Sequence, residues 1–238
     1  MARIYSSSFF HYTNEEKKLV GILGDGFIAS YAKEESKDLA GKLQHLYIPM
    51  VSFCDVPLSH IENPTVYGNF AIGMNRAWGK RKNLSPVAYY PNKKENHLHK
   101  YVANILDRLN KGGVNDTDSR KFLGYAKPFY KWKSPKGKRV NNYIDREWRK
   151  ISLSDWIDAD DKRSLYFDVH NGKMYQNLKL AFNTNDVSFI IVPDDKAKSS
   201  LINNIHSLQK VGGHKCNSQD LLNIVSKIIT IDQIKKNF

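Results

Sequence analysis

Asn141-Asn142-Tyr143-Ile144-Asp145-Arg146-Glu147-Trp148-Arg149 is short, charged and aromatic. Its period-two pattern predicts a strand over Asn142 to Arg149. Tyr143, Asp145, Glu147 and Arg149 fall on one side, and Ile144, Arg146 and Trp148 on the other. Asp145 and Glu147 then share a face. A carboxylate pair on a strand is ordinarily a solvated face. Two earlier segments give it a chemical reading as well: a His on an early strand, then a strand carrying a Ser beside an aromatic.

The segment just before the pair, Lys127 to Arg139, is basic and aromatic. From Lys121 to Lys150 there are ten Lys or Arg against two acids, Asp145 and Glu147, out of a net charge of +13 for the chain. An excess of this sign favours a polyanionic partner, or simply solubility. Its concentration around the carboxylates favours nucleic acid.

The 238 residues are enough for one large domain or two small ones, and 41% hydrophobic residues supply a core. No apolar run approaches about 18 residues, so no membrane span is expected. The N-terminus lacks an apolar signal core. Cys54 and Cys216 make no disulfide framework, and a cytoplasmic, reducing compartment fits them.

Outward from the pair, Ser7 to Thr13 reads as a strand. Thr13 or Asn14 caps a helix with stripe Leu19, Val20, Ile22 and Leu23, ended by Gly24 and Gly26. Tyr31 to Gln44 is polar and reads as loop or frayed helix. Leu46 to Phe53 reads as a buried strand with Pro49 at its beginning, and Asn69 to Met74 as a third strand. Trp78-Gly79 and Lys80 to Lys82 read as a turn, and Pro86 to Tyr90 as a fourth strand. Leu98, Tyr101, Val102, Ile105, Leu106 and Leu109 recur at helical spacing, with Gly112-Gly113 closing that helix. Asn115 to Ser119 reads as loop and Phe122 to Trp132 as a basic-edged strand. Leu165 to Val169 and Val187 to Val192 read as strands. Ala197 to Leu208 reads as a helix ended by Gly212-Gly213, and Gln219 to Ile228 as a last helix before the short Ile229 to Ile231 element. The expectation is one mixed α/β domain, core about 1–170, with a smaller C-terminal annex about 171–238.

Three constellations carry chemistry. His97 and His99 near Glu95, and His206, His214 and Cys216, do not reach four ligands at zinc spacing, so no metal is expected. Cys54 sits in an apolar run and reads as a buried thiol. The third constellation is His11, Ser52 with Phe53, Tyr67, and Glu147.

Here two resemblances enter. His11-Tyr12-Thr13 and the helix ending Ile22-Leu23-Gly24-Asp25-Gly26-Phe27 resemble the opening of DarT-type and related ADP-ribosyltransferases. Ile48-Pro49-Met50-Val51-Ser52-Phe53-Cys54-Asp55-Val56-Pro57-Leu58-Ser59, Tyr67-Gly68, Pro86 to Tyr90, Arg146-Glu147-Trp148-Arg149 and the Val187 to Val192 strand resemble the AbiGi family of abortive-infection proteins. That second resemblance covers nearly the whole chain. The family carries the label of an antitoxin component.

The first resemblance implies an α+β fold with an ADP-ribosyltransferase-like split, curved β-sheet, flanking helices and a small C-terminal α/β extension. It implies NAD as substrate, held by His11, Thr13, Ser52, Phe53 and Tyr67. Glu147 would stabilise the oxocarbenium-like ribose as nicotinamide leaves, a service a fixed carboxylate renders most strongly near the transition state. Asp145 would hold an acceptor, although that position is more often Glu or Gln. The alternative for His11 is a satisfied buried histidine. Cations interleaved with rings in Lys127 to Arg139, among them Lys131, Trp132, Lys133 and Lys136, suit phosphate neutralisation and base stacking. A solvated hairpin is the plain alternative.

The reading favoured is a mono-ADP-ribosyltransferase that modifies nucleic acid, RNA before DNA, as a toxin in antiphage abortive infection, with a neutralising antitoxin protein as partner. The alternative is a non-catalytic AbiGi-like antitoxin that keeps the fold and binds a toxin or RNA. A third reading is an RNA-binding module with no NAD site.

Overall fold

The computed structural model describes residues 6–60, 67–111, 117–131, 140–152, 157–158 and 174–237. In chain order the elements are β1 Ser8–Thr13, α1 Glu16–Asp25, β2 Phe27–Lys37, β3 Leu43–Cys54, a 3-10 turn Leu58–His60, β4 Phe70–Asn75, α2 Arg76–Arg81, β5 Ser85–Pro86, β6 Ala88–Tyr90, α3 His97–Asn110, α4 Thr117–Tyr125 and β7 Ala126–Pro128. There follow a 3-10 turn Asn142–Asp145, β8 Glu147–Ile151, β9 Ile157–Asp158, β10 Met174–Leu180, a 3-10 turn Thr184–Asp186, β11 Val187–Val192, α5 Asp195–His206, β12 Lys210–Val211, β13 His214–Lys215, α6 Ser218–Val225, β14 Ile228–Thr230 and α7 Ile231–Asn237. The class is α+β.

The chain forms two compact units, each assembled from separate segments. The first draws on Met1–Ile28, Ser52–Leu84 and Lys179–Phe238, the second on Ala29–Val51 and Ser85–Leu178.

In the first unit β1 pairs antiparallel with β4, His11 opposite Ile72, and β4 pairs antiparallel with β11. β14 adds in parallel to β11, so the sheet is mixed. Phe10, Ala71, Ile191 and Ile234 form one core cluster. A second is aromatic: Phe27 lies 5.1 Å from Phe53, 5.5 Å from Trp78 and 5.6 Å from Phe182, ring centre to ring centre. Trp78 also donates its indole N–H to the Ala181 carbonyl at 3.1 Å.

A helix end leaves carbonyls without intrahelical partners. The last turn of α1 meets this with the β12–β13 hairpin, whose Gly212 and Gly213 N–H groups donate to the Leu23 and Gly24 carbonyls at 2.7 and 2.8 Å. Gly212 has φ +60, and a Cβ there would lie 2.1 Å from the Phe182 carbonyl oxygen, so only glycine fits this approach.

In the second unit β2 and β3 pair antiparallel from Ser30 opposite Met50 to Lys37 opposite Leu43. β3 also pairs with β8 and β9, and β8 with β5. β6 and β7 form a separate parallel pair. Helix α3 buries Val102, Ile105 and Leu106 against Leu46, Ile48, Met50 and Ile151. Asn96 caps its start by accepting from the Leu98 and His99 N–H groups.

Several expectations are corrected. Tyr31 to Gln44 is not loop or frayed helix; it holds most of β2, the hairpin turn and the start of β3, because ladder pairing overrides a polar composition. Pro49 lies within β3, opposite Tyr31, not at its beginning. The residue capping α1 is Glu15, whereas Thr13 belongs to β1. Trp78-Gly79 and Lys80 are in helix α2, capped by Asn75, whose side chain accepts from the Trp78 N–H. Thr117 to Ser119 and Phe122 to Tyr125 are in helix α4, leaving only Ala126–Pro128 as strand. Gly212-Gly213 turn a hairpin rather than end a helix; α5 ends at His206, with Ser207 as its C-cap. The helix expected over Gln219 to Ile228 stops at Val225, Ile228 starts β14, and it is not the last helix, because α7 Ile231–Asn237 follows. The strand expected over Asn142 to Arg149 begins only at Glu147. Gly112-Gly113 and Leu165 to Val169 lie outside the described residues.

Candidate functional site

In the second unit, β8 buries alternate residues: Glu147, Arg149 and Ile151 face inward, with Trp148 and Lys150 half-buried between them. The alternation continues back to buried Asp145, but the backbone there is a 3-10 turn and Arg146 between them is left-handed, φ 45. The turn is anchored by Asn142, whose backbone N–H donates to the Phe129 carbonyl at 2.7 Å and whose side-chain amide donates to the Pro128 carbonyl at 2.9 Å. The Glu147 N–H donates to the Tyr89 hydroxyl at 2.9 Å. Tyr89 stacks on Phe129, and Tyr143 meets both edge-to-face, at 5.2 and 5.3 Å.

The inward face is ionic. Arg149 donates from Nε to Glu147 Oε1 at 2.6 Å and from Nη2 to Oε2 at 3.0 Å. Its Nη2 also bonds Glu34 Oε1, and its Nη1 donates to the Gly124 carbonyl at 2.9 Å. Lys127 Nζ donates to Glu147 Oε2 at 2.8 Å and lies 3.7 Å from Glu34 Oε1. Two cations and two anions thus close on one another inside the fold. Burial alone would push the Glu147 pKa up; Arg149 and then Lys127 outweigh it and hold the carboxyl well below the usual carboxylate range. Burial works against charge on Arg149 and Lys127 too, and their carboxylate partners raise both above their ordinary values.

This arrangement bears directly on chemistry. A carboxylate that stabilises a cationic ribose must offer it uncompensated charge. Both oxygens of Glu147 already accept hydrogen bonds from cations. Such a network holds strands and helix end together: β8, β2, the end of α4 and β7 all meet at Arg149 and Lys127.

In the first unit, His11 sits mid-β1. Its Nδ1 lies 2.8 Å from the Ser52 carbonyl oxygen. A carbonyl only accepts, so Nδ1 carries the proton and Nε2 of the neutral ring the lone pair. Burial lowers the His11 pKa, and the bond to Ser52 offsets only part of that. Phe27 and Phe53 flank the ring at 5.4 and 5.7 Å. The structure therefore brings His11, Ser52 and Phe53 together. Phe53 is 1% exposed, its ring enclosed by the aromatic core. Thr13 is buried at the end of β1 and Tyr67 is exposed. Tyr67 precedes Gly68, whose φ of +138 allows a close approach to Thr13.

Asp145 is buried beneath the 3-10 turn, and Lys131 is exposed. Trp132, Lys133 and Lys136 lie outside the described residues. Sequence reasoning missed Glu34 and the buried role of Lys127. Glu34 falls in the stretch read as loop, so nothing local marks it. The Arg149 contact was readable, because residues two apart on a strand share a face. Among the described residues, no group of three His, Cys, Asp or Glu side chains could hold a metal ion. No helix among them is long and apolar enough to cross a membrane.

Residues 26–193 match the family described as "Putative abortive phage resistance protein AbiGi, antitoxin". A protein of Lactococcus lactis subsp. cremoris named "Abortive phage resistance protein AbiGi" is 24% identical over 241 residues, which cover 82% of this chain and 91% of that protein. No solved structure matches.

Proposed function

The chain belongs to the AbiGi family, and from that membership we propose that it is the neutralising, antitoxin-type component of an antiphage system, acting by binding a toxin protein. The observation that carries this over an enzymatic reading is the closed Glu147 carboxylate, held by Arg149 and Lys127. A group already neutralised on both oxygens is a structural tie. The family's description as an antitoxin supports the same reading.

The second reading is the NAD-dependent mono-ADP-ribosyltransferase, with a split-sheet fold of that type. His11 favours it: a neutral imidazole fixed through Nδ1 leaves Nε2 as an acceptor suited to a ribose hydroxyl. In that reading the basic stretch from Lys127 holds the nucleic-acid acceptor.

Antitoxins act in stoichiometric company with their toxins, so the partner is sought among proteins co-transcribed with this chain. Co-expression should restore growth to cells producing that toxin, and the purified pair should co-elute. Incubation with labelled NAD and cellular RNA, DNA and protein should leave every fraction unlabelled. Label on any of them, with no rescue of growth, overturns the antitoxin reading in favour of the transferase.

A further inference from the structure

The 3-10 turn Asn142–Asp145 holds two neighbouring apolar side chains in water: Tyr143 is 48% exposed and Ile144 45%. The turn that presents them is tightly tied. Besides the Asn142 bonds, the Tyr143 N–H donates to the Asn141 side-chain oxygen at 3.0 Å and the Arg146 N–H to the Tyr143 carbonyl at 3.2 Å. The Glu147 N–H is bound by Tyr89, and the Tyr143 ring rests on Tyr89 and Phe129. Apolar anchors held in place before contact lose little freedom on binding, which is how a few residues come to dominate an interface.

Beside the turn, the described residues present a cation at Lys131. The Lys131 N–H donates to the Val140 carbonyl beside the Tyr130–Asn141 bridge, and its side chain is exposed. Arg146 follows the turn directly. The two acids between Lys121 and Lys150, Asp145 and Glu147, are both buried. Lys127 and Arg149 are occupied inside with Glu147 and Glu34.

We propose that the Tyr143–Ile144 turn is the anchor by which this protein docks its partner protein, and that the partner presents an apolar cleft rimmed by carboxylates. This rests on the antitoxin reading and names the surface that reading requires. Ile144 decides for protein over nucleic acid. It has no π face to stack on a base and no charge for a phosphate, so only an apolar cleft removes it from water to advantage. The exposed Lys131 steers an acidic rim and fixes its orientation.

The test is calorimetric titration with the purified co-transcribed toxin. The double variant Tyr143→Ala, Ile144→Ala should stay folded, with a Tm lowered by the lost Tyr143 contacts to Tyr89 and Phe129, and raise Kd about 30-fold or more; Ile144→Ala alone should keep the wild-type Tm and still weaken binding. In stopped-flow mixing, Lys131→Glu should slow association and reduce the slowing that added salt causes in the wild type. Leu222→Ala, on an equally exposed residue (54%) of the first unit, should leave Kd unchanged. Wild-type Kd in the double variant overturns the anchor and leaves the antitoxin reading standing. Failure of the wild type to bind or neutralise the toxin brings down both. A double variant that loses binding to short single-stranded RNA while keeping the toxin assigns the turn to nucleic acid and also overturns the proposal.

Discussion

The Glu147 carboxylate and the Arg149 guanidinium, two residues apart on one strand, meet at 2.6 Å from Oε1 to Nε. The strand that carries the most conspicuous acid of the chain also carries the cation that neutralises it. Lys127 from β7 and Glu34 from β2 complete the set. Stability, rather than turnover, is where changes at these residues should be read first.

Arg149→Met should be the most damaging single change. It fills similar space but leaves buried Glu147 and half-buried Glu34 with only Lys127 between them. Breaking a buried ion pair from one side costs about 3–5 kcal/mol. Chemical denaturation should show that loss. A midpoint within error of wild type would mean that the network closes no strands.

Glu147→Gln separates the tie from a catalytic acid. As a tie, its loss should cost about 1–3 kcal/mol of stability and leave toxin binding intact. As the acid of a transferase, the variant should in addition lose transfer by about 100-fold or more. The same variant tests acid stability. The folded pKa of Glu147 lies below its unfolded value of about 4.3, so its contribution is complete above that pH and is lost as pH falls through the folded value. Glu147→Gln should therefore flatten the acid limb of the stability profile.

His11 acts in a different window. Its folded pKa lies below the unfolded value of about 6.5, because burial disfavours the imidazolium. Below that pH the unfolded chain takes up a proton that the folded chain refuses. Stability from this residue is thus full above about pH 6.5 and erodes as pH falls towards the folded pKa. His11→Gln keeps a donor for the Ser52 carbonyl and should remove that erosion. Parallel slopes for variant and wild type between pH 7 and 5 would show that the imidazole titrates normally.

Gly68→Ala should fail to fold at full stability. Its φ is +138, and a Cβ would lie 2.0 Å from the Thr13 carbonyl oxygen, a backbone atom that has nowhere to move within the β1–β4 pair. The loss should exceed the roughly 1 kcal/mol typical of a glycine held at positive φ. Gly21→Ala, which meets nothing within 4 Å, is the matched control and should stabilise α1 slightly. A Gly68→Ala Tm equal to wild type would refute the close approach.

What was legible in the chain was whatever buries an apolar face on its own period. The SFFHYT strand, the NFAIGM strand, VSFIIV and the helix from His97 read out directly, since each carries its apolar pattern locally. That His11 lies beside the Ser52 and Phe53 strand was expected only from the ADP-ribosyltransferase resemblance, whereas the alternation of Asp145, Glu147 and Arg149 was legible as a period. The sequence by itself determined those faces and the excess of positive charge around them. Which way the charged face points, only the tertiary structure decided. A strand pattern says that Glu147 and Arg149 share a side; it cannot say whether that side meets water or Glu34 and Lys127, which come from 113 and 20 residues away. The same holds for Tyr31 to Gln44, polar enough to read as loop, whose strands exist through hydrogen bonds to each other. Trp78, read as part of a turn, became core because Phe27 and Phe53 arrive from elsewhere to meet its ring and the Ala181 carbonyl accepts its indole N–H. Burial of charge and burial of rings are long-range events, and no local window of sequence contains their partners.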